Sequence, residues 1–121
     1  MENDRFKNYI NEIESEITCK AFLEENKEIL NQIKKSMKYD REIKIYKALG
    51  HKLRYRIVKI LEKKPMCVCA LAQIFEKSDS SIAYHLNELQ KAGLIIGKKE
   101  GYFTIYYTKE KLLNELSDVA Q

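Results

Sequence analysis

Every strong helix breaker in this 121-residue chain falls between positions 50 and 101: the single proline, Pro65, and the four glycines, Gly50, Gly93, Gly97 and Gly101. Proline supplies no amide donor and disfavours helix at the residue before it, while glycine tolerates the left-handed backbone that ends helices and closes turns. The chain is therefore cut into a long unbroken N-terminal stretch and a run of short elements.

In the N-terminal stretch, Phe6, Ile10, Ile13 and Ile17 recur at helical spacing and predict a helix. Leu23, Leu30, Ile33 and Met37 continue the pattern, but the register shifts near Thr18 to Ala21, so a kinked helix or two helices would satisfy it. Charge runs such as "EENKE" read as a solvated face. From Arg41 onward the elements shorten. Residues 42–49 read as a helix ending at Gly50, and Leu53, Ile57, Ile60 and Leu61 form a second stripe stopped by Pro65. Leu71, Ala72 and Phe75 share one side of a short helix. Ser78 is a good N-cap for a helix from about Asp79 to Ala92, with Ile82, Leu86 and Leu89 facing inward and Gly93 ending it. "LIIGKKEGYFTIYYT" then carries two β-rich runs around a basic turn, a hairpin signal, and Leu112, Leu113, Leu116 and Val119 make a last helical stripe.

This order predicts a mainly α fold with a small β-hairpin: a winged helix-turn-helix domain over 41–121, preceded by an N-terminal helical extension over 1–40. Residues 1–40 hold 7 Lys+Arg against 9 Asp+Glu, net −2, and residues 41–121 hold 15 against 9, net +6, so a polyanion belongs on the second part. No apolar run approaches the roughly 18 residues a membrane span needs, and the N-terminus lacks a signal peptide's apolar stretch, which predicts a cytoplasmic protein with no membrane partner. There is no Ser-His-Asp set, paired-carboxylate arrangement or phosphate loop to support an enzyme.

On the Asp79–Ala92 helix the outward residues are Ser80, Tyr84, Asn87 and Lys91, with Ser81 and Ala83 beside them and Ser78 and Asp79 at its start. Small hydroxyl residues at a helix N-terminus let backbone amides approach phosphates, and Tyr84 is long enough to reach a base edge or a phosphate. Lys98 and Lys99 on the hairpin suit a backbone or minor-groove contact. Asp79 and Glu88 subtract from the attraction, and the same residues would also serve as the ordinary surface of a protein-binding module. Phe103, Tyr106 and Tyr107 alternate along a strand and read as packing rather than as a base-stacking platform.

Taken in order, "LRYRIVKIL", "CVCALA", "SSIAYHLNELQKAGL" and "KKEGYFTIYY" make residues 43–108 resemble the ArsR/SmtB family of winged-helix transcriptional repressors. The resemblance implies a homodimer, with helices at both chain ends building its interface. It also implies binding to a palindromic operator on double-stranded DNA, and release when an inducer binds. His85 matches the histidine of the family's recognition helix and joins the candidate DNA set as a packing or phosphate-contacting residue; His51, beside a helix start, reads as solvated. "GHKLR" replaces the usual Asp-Pro-Thr-Arg while keeping its arginine as Arg54, and a wing about one residue longer than typical suggests a bulge.

The three cysteines are too few for a disulfide framework, which leaves metal binding, redox sensing or packing open. Cys67 and Cys69 match the thiol pair of the arsenic-responsive branch, but Ala72 stands where its third cysteine would be. Cys19, from the same or the partner chain, could supply the missing thiolate, or the pair could act by oxidation through a small, strained ring. The C-terminal zinc site of other branches is rejected, since "KEKLLNELSDVAQ" has no His. The reading is a repressor that needs no cofactor and is released by a thiol-bound inducer such as arsenite, cadmium, lead or zinc. The alternatives are a redox-responsive or ligand-independent regulator, or a winged-helix interaction module that does not bind DNA.

Overall fold

The structure, a computed structural model, describes residues 4–111; the C-terminal stripe Leu112 to Val119 lies outside them. The chain forms two compact units, residues 1–40 and 41–121. In the first, α1 (Asp4–Ile13) and α2 (Cys19–Lys35) are separate helices. Thr18 begins α2: its hydroxyl accepts the Ala21 amide at 3.1 Å, satisfying one of the amides a helix start leaves unpaired. Phe6 and Tyr9 close on Phe22 of α2 with ring centroids 5.8 and 6.0 Å apart, and Ile10 is buried. The expected stripe breaks beyond Ile10, because α1 ends at Ile13, which is exposed, and Ile17 falls in the connection. No residue of α2 is buried; Ile29, Leu30 and Ile33 are each about half exposed.

The second unit begins within α3 (Met37–Leu49) and continues with α4 (Lys52–Lys63), α5 (Val68–Phe75), α6 (Asp79–Lys91), β1 (Ile95–Glu100) and β2 (Phe103–Thr108). Its core is one cluster that includes Ile57 and Leu61 of α4, Leu71 and Ala72 of α5, Ile82, Leu86 and Leu89 of α6, and Ile95 of β1. These are the stripes expected from the spacing, and full burial of each Leu or Ile contributes about 1.5–3 kcal/mol. The predicted fold class is the observed one: mainly helical, with a two-stranded antiparallel hairpin.

The hairpin pairs Ile95 with Thr108 through Glu100 with Phe103 in unbroken register, so the expected bulge is not there. A two-residue loop closes it, with Gly101 at φ 64°, the positive angle that the first position of a type II′ turn needs. Met66 adds an isolated bridge to Tyr106, whose amide donates to the Met66 carbonyl at 3.0 Å. Phe103, expected to pack, is 55% exposed beside the hairpin tip; Tyr107 is buried.

Helices α5 and α6 end alike. After α6, Gly93 takes φ 80° and the Leu94 amide returns to the Leu89 carbonyl. After α5, Glu76 takes φ 54° and the Lys77 amide returns to the Ala72 carbonyl at 3.0 Å. Both are Schellman-type ends, but at Glu76 a side chain sits in a backbone region that suits glycine. We expect Glu76→Gly to raise stability by roughly 0.5–1 kcal/mol, read as a higher Tm by circular dichroism. An unchanged or lower Tm would show that the left-handed residue is not strained.

Candidate nucleic-acid interface

The inward stripe of α6 sets which residues face out. With Ile82, Leu86 and Leu89 buried, Ser80, Ala83, Tyr84, Asn87 and Lys91 are exposed, as are Ser78 and Asp79 at the helix start. Ser78 caps the helix through the Ser81 amide at 3.1 Å, and its hydroxyl lies 3.2 Å from that of Ser80. Ser81 is half-buried, with its amide committed to the cap. Lys91 pairs with Glu88 at 3.4 Å on the exposed side. In the hairpin, Lys98 and Lys99 are exposed and successive, so their side chains leave opposite faces of the strand. Tyr102 at the tip is fully exposed.

His85, expected to pack or to contact phosphate, lies on the inner side of α6. It is 9% exposed, and its spacing three residues after Ile82 and four before Leu89 puts it in the buried stripe. Its Nδ1 accepts a hydrogen bond from Arg54 Nε at 3.1 Å, and its ring lies 4.7 Å from that of His51 and 5.3 Å from that of Tyr84. His51 is exposed as expected, and its Nδ1 also caps α4 through the Leu53 amide. The Arg54 guanidinium carbon is 5.7 Å from the Tyr84 ring centroid, so one cation holds His85 and flanks the most prominent outward side chain of α6. Sequence reasoning retained Arg54 but gave it no role in the site. The hydrogen-bonding demand of a histidine at an inward spacing is the signal that could have found it.

Cys67 is the N-cap residue of α5, and its Sγ lies 2.9 Å from that of Cys69. The hydrogen bond between the two sulfurs, reinforced by backbone amides at the helix start, lowers the pKa of the Cys67 thiol and raises that of Cys69. The two thiols therefore differ in acidity, Cys67 being the more acidic. Cys67 is half-buried and Cys69 exposed. Ala72 is buried in the core, and Cys19 opens α2 in the other unit. Among the described residues no three His, Cys, Asp or Glu side chains group to hold a metal ion. The Met66 bridge to β2 ends one residue before Cys67, tying the thiol pair to the wing as well as to α5.

Two helices joined by a tight turn, the second carrying an exposed polar face, and a hairpin beside them define a winged helix-turn-helix protein. Residues 51–96 match the family model described as "Bacterial regulatory protein, arsR family". The chain is 38% identical over 80 residues to an uncharacterized HTH-type transcriptional regulator of Methanocaldococcus jannaschii, covering 65% of this chain and 90% of that protein. It is 35% identical over 71 residues to the cadmium resistance transcriptional regulatory protein CadC of Listeria innocua, covering 57% of this chain and 60% of that protein. An ArsR-like transcriptional regulator from Rhodococcus superposes with a TM-score of 0.59 at 27% identity, covering 69% of this chain and 79% of that one. The chain belongs to the ArsR family of DNA-binding transcriptional regulators, which are not enzymes. Among the described residues no helix is long and apolar enough to cross a membrane.

Burial pushes the His85 pKa down, helped by the positive charges of His51 and Arg54 and by Lys77, against an opposing pull from Glu88. A depressed folded-state pKa means the unfolded chain binds the proton first, near pH 6.5. The neutral ring's contribution is therefore intact above about pH 6.5 and lost as pH falls toward the folded value. We expect urea denaturation to show a fall in stability from about pH 7.5 to about pH 5.5, and His85→Gln to show a shallower fall. Equal slopes would remove His85 as the source.

Proposed function

We propose that the protein is a homodimeric, operator-specific transcriptional repressor whose DNA affinity is lowered when a thiol-binding inducer engages Cys67 and Cys69. The observation that carries the DNA reading is the exposed face of α6, where Ser80, Tyr84, Asn87 and Lys91 stand opposite the buried Ile82, Leu86 and Leu89. In this reading Ser80, Tyr84 and Asn87 meet base edges, the amides behind Ser78, Asp79 and Ser81 meet phosphate, and Lys91 with Lys98 or Lys99 meets the flanking backbone. His85 supports Tyr84 from behind through Arg54. Residues 1–40 serve dimerisation, which would cover the half-exposed Ile29, Leu30 and Ile33. A dimer matches a palindromic operator, because two-fold symmetric recognition helices present the same face to each half-site.

For the inducer, the paired thiols at 2.9 Å favour a soft ion or metalloid, with arsenite, cadmium, lead and zinc as candidates and Cys19 of the same or the partner chain as the candidate third donor. Cys67 begins α5 and adjoins the Met66 bridge, so a change there reaches both α6 and the hairpin through packed neighbours. The same short Sγ–Sγ distance favours oxidation of the pair as the second reading.

Gel-shift titration against the DNA upstream of the protein's own gene tests the first part. The Ser80→Ala/Tyr84→Ala variant should lose about tenfold or more of its preference for that DNA over unrelated duplex. Unchanged discrimination would take these residues out of the base-reading set. For the second part, arsenite or cadmium should weaken wild-type binding about 5- to 150-fold and leave Cys67→Ser/Cys69→Ser unaffected. A response to peroxide alone would replace the metal reading by oxidation.

A further inference from the structure

Between α3, the start of α4 and the end of α6 lies a cleft of about 310 Å³, lined by Lys44, Lys47, Ala48, Arg54, Glu88, Lys91 and Ala92. Its wall carries four cations and one carboxylate, a formal +3. The carboxylate, Glu88, is already paired with Lys91 at 3.4 Å, while Lys44, Lys47 and Arg54 make no ion pair among the described residues. Helix dipoles act against an anion here, since α3 and α6 point their C-terminal ends at the cleft and only α4 offers an N-terminus. Each end is worth roughly half an elementary charge, too little to cancel the side chains.

Lys44 and Lys47 are three residues apart on α3 and both exposed, so two flexible ammonium groups reach the same opening. Arg54 stands deeper. Its Nε is spent on His85, which leaves the N–H groups of the guanidinium's two outer nitrogens for a tetrahedral oxyanion. Ala48 and Ala92 are the small side chains that leave the space open.

The position of the cleft decides between sources of that anion. Tyr84, Glu88 and Lys91 follow one another along a single face of α6, at four- and three-residue steps, so the cleft continues the face that Tyr84 begins. Arg54 joins the two, being both a wall of the cleft and 5.7 Å from the Tyr84 ring. We propose that this cleft is a phosphate site that seats the DNA backbone beside the bases read by α6, with Lys44, Lys47 and Arg54 as its ligands. It rests on the DNA-reading face of α6 proposed above. None of these three residues belongs to the outward stripe of α6 or to the hairpin. They position the duplex without reading its sequence, and Arg54 sets the seated strand against Tyr84.

The test is the salt dependence of DNA binding by the full-length protein and its Lys44→Gln/Lys47→Gln variant, on the DNA upstream of its own gene and on an unrelated duplex of equal length. Lys63→Gln/Lys64→Gln, which removes the same charge outside the cleft, is the control. The slope of log affinity against log salt should fall by about 1 per protomer, about 2 for the dimer, and affinity by about tenfold or more, equally on both duplexes and only in the cleft variant. An unchanged slope, the same loss in the control, or a loss confined to one duplex would each overturn the phosphate site while leaving DNA binding intact. Wild-type protein that binds neither duplex would overturn the DNA reading itself. A thermal shift with about 1 mM inorganic phosphate separates the other source: a rise in Tm lost in the cleft variant, with an unchanged DNA slope, would assign the cleft to a free anion and overturn the backbone role.

Discussion

The roll of α6 about its own axis is decided by where Ile82, Leu86 and Leu89 are buried, and the rest of the second unit is arranged around that choice. Those three side chains are fully excluded from solvent against residues of α4 and α5. At about 25 cal/mol per Å² of apolar surface, rotating the helix by a quarter turn would cost several kcal/mol, comparable with a small domain's whole stability. The polar face is thus held by an apolar one. Ser80, Tyr84 and Asn87 are presented outward because their opposite numbers cannot leave the core.

One polar joint crosses this packing. His85 lies on the buried side yet needs a partner for its ring nitrogen, and Arg54 from α4 supplies the donor at 3.1 Å. A neutral imidazole is the form that can accept that bond, and burial keeps it neutral. The same guanidinium lies beside Tyr84 and walls the basic cleft, so three features that are far apart in the chain share a single side chain. The thiol pair is connected in a comparable way: Cys67 starts α5, and its neighbour Met66 pairs with β2.

Much of this is legible in the sequence. The periodicity of Leu53 to Leu61, of Leu71 to Phe75 and of Ile82 to Leu89 reports which face is apolar, and Ser78 and Gly93 mark where α6 starts and stops because capping is a local matter. Some local signals have two solutions. The register shift near Thr18 allows a kinked helix or two helices, and the Thr18 cap that opens α2 makes it two. Phe103, seen as packing, is exposed because strand alternation says which residues share a face but not whether anything covers it. The hairpin count suggested a bulge, yet Gly101 closes a two-residue turn without one. For His85 the spacing from Ile82 and Leu89 already points inward, and what spacing does not name is its partner, Arg54.

The sequence by itself determined the element order, the apolar faces and the adjacency of the two thiols, because each depends on residues within a few positions of one another. Tertiary structure alone decided that Arg54 would meet His85 and Tyr84, and that Lys44 and Lys47 would share a cleft with Lys91. It also decided that Met66 would bridge the thiol segment to the wing. Those contacts join residues tens of positions apart, and their distances follow from how helices pack on one core, a quantity that spacing along the chain does not contain.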